Sequence, residues 1–276
     1  MQYAKVIAII LGGIYLLLFT RSRLMIIFGK DIVDGNFTVS KTMEVTQNIN
    51  FDQWLHIFGP IMLTLTRTQK DAGVIIERNM WHSFNDSFLR VPQLHAYYEQ
   101  VLGNKNKIRR ICELGFNGGH SALMWASLFN GDLELLSFDL CTDKRCDIGE
   151  AFIRKMFPNI RLKIIRGDST KTVPNYVLSN TNVKCDFISI DSDHFGSVDS
   201  FDILNMRYLA SRNHTVAFEV ADEMSRGSFL RTVSLAWKRA ISSKIILQQG
   251  ECQFCYSNPV KNRTCKFCFG KYVFGN

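Results

Sequence analysis

Short apolar runs alternate with amphipathic stretches along most of the chain after residue 107. The runs have the length of buried strands, and the stretches have the periodicity of helices that cover a sheet. The pattern predicts strands at 108–114, 133–139, 162–165, 187–190, 215–220, 245–247 and 271–274. It predicts helices at 121–129, 147–157, 170–177, 198–209 and 226–241. Strands that alternate with helices favour an α/β fold with a doubly wound, mostly parallel sheet, which binds ligands at the carboxyl ends of its strands.

Two of these predicted helices carry their apolar side chains on a single face, which predicts the side that packs on the sheet. In 198–209 the apolar face consists of Val198, Phe201, Leu204 and Tyr208. In 226–241 it consists of Phe229, Val233, Ala236, Trp237 and Ala240.

The first hundred residues differ from this alternating part. A continuous apolar run at 6–20 has a length between those of a signal-peptide core and a short membrane span. No small-residue cleavage site follows, so we predict an uncleaved signal-anchor, a single transmembrane helix. Beyond it we predict a stalk and a helical extension, with helices at 51–65, broken near Pro60, and at 84–102. The predicted division is 1–30 for the anchor, 31–103 for the extension and 104–276 for the main domain.

Two observations bear on which side of the membrane the main domain occupies. Arg21, Arg23 and Lys30 follow the anchor and favour the cytosol. Four glycosylation sequons favour the lumen, and they begin at Asn36, Asn85, Asn213 and Asn262. We expect a single-pass protein of the endoplasmic reticulum or Golgi with a lumenal main domain; a secreted protein and a cytosol-facing domain are the alternatives.

Cysteine spacing leaves two kinds of site open. Six of the eight cysteines form close pairs, which are Cys141/Cys146, Cys252/Cys255 and Cys265/Cys268. The last two pairs repeat a Cys-x2-Cys pattern that suits either a small zinc site or two disulfides, and a lumenal location favours disulfides. Cys112 and Cys185 lie in apolar, strand-like runs and are predicted to be buried thiols.

The strand at 108–114 ends in a glycine-rich turn, Glu113-x-Gly115-x-Asn117-x-Gly119, and an amphipathic run follows at once. Glycines let backbone N–H groups approach a ligand that a Cβ would keep away. Strand, glycine turn and helix are the order of a nucleotide-binding crossover. Glu113 would repel a pyrophosphate, so the turn suits a ligand with a cationic or neutral group. This disfavours NAD(P)-dependent oxidoreduction.

Acidic residues recur at the carboxyl ends of successive predicted strands. Glu113 ends the first, Asp139 the second and Asp191 the fourth, and Asp168 follows the third. A ribose offers two hydroxyl donors that suit Asp139, and an adenine amino group offers a donor that suits Asp168. The four positions predict one binding site along a single edge of the sheet.

Together, residues 108–223 resemble class I S-adenosylmethionine (SAM)-dependent methyltransferases, whose sheet is Rossmann-like. The resemblance implies SAM as the cofactor, held by Glu113, Gly115, Asn117, Gly119, Asp139 and Asp168. In that family the glycine loop lies near the methionine part of SAM, and the later carboxylates lie near the ribose and adenine. Asn117 replaces the middle glycine of the family's motif.

A second cluster follows the fourth predicted strand. The (D/N)PP(Y/F) sequence of many nitrogen methyltransferases is absent there, and Asp191-Ser-Asp-His194 stands in its place. Carboxylates from two neighbouring strand ends would form the hard-oxygen site that Mg²⁺ prefers, and a histidine beside it would accept a proton from a metal-bound hydroxyl. The cluster resembles metal-dependent O-methyltransferases of sugars and natural products. That resemblance implies Asp191, Asp222 and Glu223 as metal ligands and His194 as the base, with Glu219 as an alternative ligand.

The predicted function is therefore SAM-dependent methylation of a hydroxyl on a small molecule or glycan. Same-fold alternatives use decarboxylated SAM or methylate a carboxylate. A further alternative is a membrane-tethered, non-catalytic glycoprotein that keeps the fold for binding. The net charge is +8, but Lys and Arg are scattered and do not interleave with aromatic residues, so we predict no nucleic-acid partner.

Overall fold

The strands form two sheets in the computed structural model, which describes residues 14–17, 25–28, 49–74, 91–191, 198–221, 228–254 and 265–274. The smaller sheet pairs β1 (Ile14–Leu17) with β2 (Met25–Phe28) in antiparallel fashion. The larger consists of β3 (Arg110–Leu114), β4 (Glu134–Asp139), β5 (Arg161–Arg166), β6 (Cys185–Ile190), β7 (Ala210–Ala221), β8 (Ile246–Phe254) and β9 (Cys265–Tyr272). Its strand order is β5-β4-β3-β6-β7-β9-β8. β3 to β7 are parallel and β9 is antiparallel to both neighbours, which confirms the doubly wound, mostly parallel prediction.

Helices cover both faces of this sheet. They are α1 (Phe51–Asp71), α2 (Val91–Leu102), α3 (His120–Leu128), α4 (Lys144–Met156), α5 (Ser169–Ser179), α6 (Val198–Met206) and α7 (Ser228–Ser242), with 3-10 turns at Lys105–Lys107 and Arg207–Leu209. One apolar core lies between the sheet and α1–α4, and it contains Trp54, Tyr97 and Trp125. The other lies beneath α5–α7 and contains Val173, Ile203 and Trp237. Each large apolar side chain buried there contributes roughly 1.5–3 kcal/mol.

The helix predicted at 198–209 is present, but the prediction of its buried face is wrong. Phe201, Leu204 and Tyr208 are 51%, 41% and 64% exposed. The residues that α6 buries are Asp199, Asp202, Ile203 and Met206. The Asp202 carboxylate accepts a hydrogen bond of 2.7 Å from the Ser169 hydroxyl at the start of α5, which offsets the cost of burying it. In α7, by contrast, Ala236, Trp237 and Ala240 are buried as predicted.

α1 is longer than the predicted helix at 51–65, and it is not broken. It begins at a reciprocal cap, in which the Asn50 side chain accepts from the Gln53 N–H and the Gln53 side chain accepts from the Asn50 N–H. The helix continues through Pro60, so the predicted break is wrong. Proline removes one helical N–H, but burial of a continuous apolar stripe holds the two halves together. The stripe includes Trp54, Phe58, Ile61 and Leu65.

The described residues contain no helix at the predicted membrane anchor. Residues 14–17, inside the predicted span of 6–20, form β1 and pair with β2, Ile14 lying opposite Phe28. The rest of the predicted span lies outside the described residues. Within the described part of the chain, no helix combines the length and the apolar character that a bilayer crossing needs. The anchor stays a prediction.

Three disulfides lie within the described residues. Cys112 and Cys185 are buried on neighbouring strands but are bonded to each other, so the prediction of free thiols is wrong. Their Cα atoms are 5.8 Å apart, within the range that a disulfide spans. Cys141 bonds to Cys146. The bond between Cys252 and Cys268 removes two of the four ligands of the alternative zinc site; Cys255 and the Cys265 side chain lie outside the described residues.

Candidate active site

The parallel register brings three carboxylates and one glycine to a single edge of the sheet. Phe138, Leu114, Ile190 and Phe218 are paired across β4, β3, β6 and β7. One residue further along each strand are Asp139, Gly115, Asp191 and Glu219. Residues at equivalent positions of neighbouring strands point to the same face, which here is the face covered by α1–α4. The row therefore has a carboxylate from β4 on one side of Gly115 and two carboxylates, from β6 and β7, on the other.

Glu113 lies beneath the glycine turn and is enclosed by hydrogen-bond donors. Its Oε1 accepts from the Ser137 hydroxyl at 2.6 Å. Its Oε2 accepts from the Ser121 hydroxyl at 2.8 Å and from the Trp125 indole N–H at 3.3 Å. Burial raises the pKa of this carboxyl from 4.5 to about 7, against the lowering effect of the three donors. The side chain thus ties β3 to β4 and to α3 from behind the turn.

The buried Glu113 predicts a pH dependence of stability. The unfolded chain ionises this group near its ordinary pKa and the folded chain only near 7, so between those values the folded state binds more protons and stability falls as pH rises. From about pH 5.5 to about pH 7 the expected loss is on the order of 2 kcal/mol. Glu113→Gln should remove this loss, as measured by urea unfolding of the cofactor-free protein at both pH values. Equal pH slopes in the two proteins would contradict the prediction, since contributions from all other groups cancel in the comparison.

Asp139 connects the glycine turn to the loop after β4. Its Oδ2 accepts from the Asn117 N–H at 2.7 Å, and its Oδ1 accepts from the Cys141 N–H at 2.6 Å. The disulfide between Cys141 and Cys146 closes the loop after β4 immediately beside Asp139. Asn117 has φ +48°, a left-handed conformation that asparagine tolerates better than most residues. Asparagine can therefore occupy the place of the motif's middle glycine without losing the turn.

Asp168 has a local explanation in the structure. It is the N-cap of α5, and its Oδ1 accepts from the Thr170 N–H at 3.0 Å and from the Thr170 hydroxyl at 2.6 Å. The Thr170 hydroxyl is the largest cause of its lowered pKa. Lys171 forms an ion pair with the other oxygen at 3.5 Å. Its place after β5, next to β4, keeps it on the same side of Gly115 as Asp139.

On the other side of Gly115, α2 places two polar side chains that the sequence did not single out for chemistry. The Gln93 amide donates to the Tyr97 hydroxyl at 3.2 Å and to Glu219 Oε2 at 3.4 Å. Both residues are buried. Burial raises the pKa of Tyr97 far above its ordinary value, and the charges of Asp191 and Glu219 raise it further, so this hydroxyl stays protonated. In the sequence, both residues lie in the helix predicted at 84–102, and neither carries a signal for chemistry.

The remaining predicted site residues are only partly described. Asp191 is half-buried at the end of β6, and its N–H donates to the Leu114 carbonyl at 3.0 Å. His194, Asp222 and Glu223 lie outside the described residues. Among the described residues, one group of side chains has potential ligand atoms close enough together to hold a metal ion. It consists of Asp139, Cys141 and Cys146. Because its two cysteines are joined in a disulfide, they offer no thiolate to a metal.

Comparison with known proteins agrees with this architecture. A family model described as O-methyltransferase matches residues 78–207. Among solved structures, an O-methyltransferase from Bacillus cereus in complex with SAH superposes with a TM-score of 0.58 at 14% identity, over 76% of this chain and 90% of that one. The O-methyltransferase TomG from Streptomyces achromogenes, involved in tomaymycin synthesis and solved with SAM, superposes with a TM-score of 0.57 at 11% identity, over 77% of this chain and 89% of that one.

Residues 78–207 thus resemble the O-methyltransferase family, and the superpositions show the fold of these enzymes over 76–77% of the chain. The matched segment contains the glycine turn, Asp139, Asp168 and Asp191, and it ends before β7. α1 precedes the segment. No curated protein sequence matches the chain.

Proposed function

We propose that this methyltransferase transfers the SAM methyl group to a hydroxyl of a small molecule or glycan. The observation that carries the proposal is the row of strand ends, in which Asp139 and Asp191 lie on opposite sides of Gly115. A glycine between two carboxylates leaves room for a ligand over β3 where a Cβ would intrude. The cofactor would then lie toward β4 and the acceptor toward β6 and β7.

The donor groups on the β4 side fit SAM. Gly115 has φ +94° and Gly119 has φ +80°, so the turn takes a shape that other residues adopt only with strain. In the proposal, the turn and Asn117 hold the methionine part, Asp139 accepts from the ribose hydroxyls, and Asp168 accepts from the adenine amino group. Glu113 acts from beneath the turn, where its ionised form favours a cationic ligand. Bound SAM supplies an activated methyl group, and these residues orient it.

On the acceptor side we propose that His194 takes the hydroxyl proton and that Mg²⁺ is held by Asp191, Asp222 and Glu223. Two described carboxylates support a site for a hard cation here, because Asp191 and Glu219 stand side by side at equivalent positions of β6 and β7. Glu219 is therefore the alternative for one of the ligands. A metal there would lower the pKa of the acceptor hydroxyl. Methyl transfer needs the donor carbon, the sulfur and the acceptor oxygen in line, so positioning is the main task of the protein.

Calorimetric titration with SAM, followed by assays of methyl transfer to sugars and phenolic or aliphatic alcohols with and without Mg²⁺, tests the proposal. We expect SAM binding and transfer to at least one class of hydroxyl. Binding without transfer to any hydroxyl would favour the non-catalytic glycoprotein or a different acceptor, such as a carboxylate. Absence of SAM binding would contradict the assignment of the site.

We also propose that the catalytic domain lies in an oxidising compartment, in the lumen of the secretory pathway. Disulfides persist there and are rare in the cytosol. The three within the described residues include one inside the apolar core, between β3 and β6. Asn213, the sequon asparagine within the described residues, is exposed at the start of β7, where a glycan can be attached.

Enzymatic removal of N-glycans should increase the gel mobility of the protein expressed in secretory cells. Asn213→Gln should reduce this shift by one glycan, because it removes the acceptor amide of an exposed sequon. Asn159→Gln is the matched control, since Asn159 is exposed but is not part of a sequon. An unchanged mobility after glycosidase treatment would place the domain in the cytosol instead.

A further inference from the structure

α1 lies along α3 with the opposite direction. Near the start of α1, the Trp54 indole N–H donates to the Ser127 hydroxyl at the end of α3, at 3.0 Å. Near its end, the Thr66 hydroxyl and His120 Nε2 are hydrogen-bonded at 2.8 Å, and His120 is the first residue of α3. The last turns of α1 are thereby brought to the glycine turn, which immediately precedes α3.

Gln69, in the last turns of α1, contacts this turn directly. Its amide Nε2 donates to the Gly118 carbonyl at 2.8 Å, and the side chain is buried. A Cβ on Gly118 would lie 2.7–3.1 Å from the Gln69 amide, so the absence of a side chain there is what allows the contact. From α4, Gly149 approaches the same carbonyl so closely that a Cβ on it would overlap the oxygen. The Gly118 peptide is thus enclosed by α1 and α4.

We infer that Gln69 and Thr66 are positioning residues for the cofactor, because they hold the glycine turn and the start of α3 in the conformation that receives SAM. This rests on the proposed function of the turn. α1 lies outside the segment that the O-methyltransferase family model matches. The affinity of a site falls in proportion to the fraction of molecules in the binding conformation, so releasing the turn weakens binding without removing any group that touches the ligand.

Gln69→Met keeps the length of the side chain but removes its donor, which leaves the buried Gly118 carbonyl without that partner. The expected result is an increase of about tenfold in both Kd and KM for SAM. The value of kcat at saturating SAM and the KM of the acceptor should not change, because neither depends on how often the free turn adopts its binding shape. Calorimetry and steady-state kinetics of the full chain measure these quantities, and thermal unfolding is recorded in parallel.

Thr66→Val tests the second contact and serves if Gln69→Met does not fold. It should also raise KM for SAM, by a smaller factor than Gln69→Met. Its matched control is Thr68→Val, because the Thr68 hydroxyl donates to the Thr64 carbonyl on the exposed side of the same helix. Thr68→Val should leave the SAM affinity unchanged.

Gly118→Ala provides a second test from the other side of the contact. The φ of Gly118 is not in the left-handed region, so alanine fits the backbone, but its methyl group must displace the Gln69 amide. We expect it to weaken SAM binding as Gln69→Met does. Combined with Gln69→Ala, the effects should be far from additive, because both changes break one interaction.

The outcomes separate this inference from the proposed function. If the wild type binds SAM and Gln69→Met, or Thr66→Val in its place, only lowers the melting temperature without changing Kd or KM, the inference is overturned and the proposed function stands. Additive effects of Gly118→Ala and Gln69→Ala would also overturn it. If the wild type does not bind SAM, the proposed function itself fails.

Discussion

Replacing Asp191 by Asn should reduce methyl transfer by at least about 100-fold, because Asp191 is a ligand of the proposed cation, and such a cation stabilises the transition state by several kcal/mol. The substitution keeps the volume of the side chain and one acceptor oxygen but removes its charge. Asp191 lies beyond Gly115 from the proposed cofactor residues, beside Glu219, so the SAM affinity should not change. Chelation of divalent metals should have the same effect on the wild type and little further effect on the variant.

The measurements are kcat from release of the demethylated cofactor, with Mg²⁺ present, and Kd for SAM from calorimetry. Asp186→Asn is the matched control, because Asp186 lies at the opposite end of the same strand, where it accepts from the N–H groups of Arg109 and Arg110. Asparagine can still accept there, so kcat should stay at the wild-type value. Full activity after exhaustive chelation would exclude the metal, and Asp191 would then need another role.

The sequence predicted most of the fold because its strands and helices have clear hydrophobic periods and alternate regularly. Errors occurred where local periodicity competes with tertiary contacts. α6 has an apolar stripe at Phe201, Leu204 and Tyr208, yet its opposite face is buried, because Asp202 finds a partner in Ser169 that no local pattern reveals. β7 begins before the predicted position, at Ala210, because the polar residues 211–213 carry no strand signal and lie where the register with β6 shifts, between the pairs Cys185–Ala210 and Phe187–Thr215.

The candidate site was predictable in outline for a topological reason. Parallel strands end at one edge, so Asp139 and Asp191 could be placed together from their positions alone. The groups that surround the carboxylates of the site could not be predicted in this way. Whether Glu113 faces a ligand or a shell of donors depends on Ser121, Trp125 and Ser137, which become its neighbours only when α3 and β4 pack on β3.

Contacts between residues far apart in the chain were even harder to predict from the sequence. Gln69 and Gly118 are separated by 49 residues, and nothing in the α1 sequence distinguishes Gln69 from an exposed glutamine. The disulfide between Cys112 and Cys185 spans 73 residues, and it depends on β3 and β6 being neighbours although β4 and β5 intervene in the chain. Pairings of this kind follow from strand order, which local patterns do not determine.

Replacing Asp139 by Ala should weaken SAM binding by more than about 100-fold, the equivalent of roughly 3 kcal/mol. Two of the lost interactions are hydrogen bonds within the protein, which the Asp139 carboxylate accepts from the N–H groups of Asn117 and Cys141. Without them the glycine turn and the disulfide-closed loop lose the group that connects them. The third loss is the proposed contact with the ribose hydroxyls. A hydrogen bond to a charged acceptor contributes about 1.5–3 kcal/mol after solvation is counted. Loss of the ribose contact, together with a turn that less often adopts its binding conformation, gives this magnitude.

Calorimetry of Asp139→Ala and Asp139→Asn should rank the two variants, because asparagine keeps one acceptor oxygen but turns an NH₂ group toward the second N–H donor. Asp139→Asn should therefore also lose affinity for SAM, though less than Asp139→Ala. Asp147→Ala is the control. Asp147 lies on α4, and its exposed carboxylate forms an ion pair of 2.6 Å with Arg166 of β5. An exposed ion pair contributes little. An Asp139→Ala protein that binds SAM as tightly as the wild type would mean that the ligand lies elsewhere along the sheet edge. The β4 end would then be a structural tie between two loops and not a wall of the cofactor site.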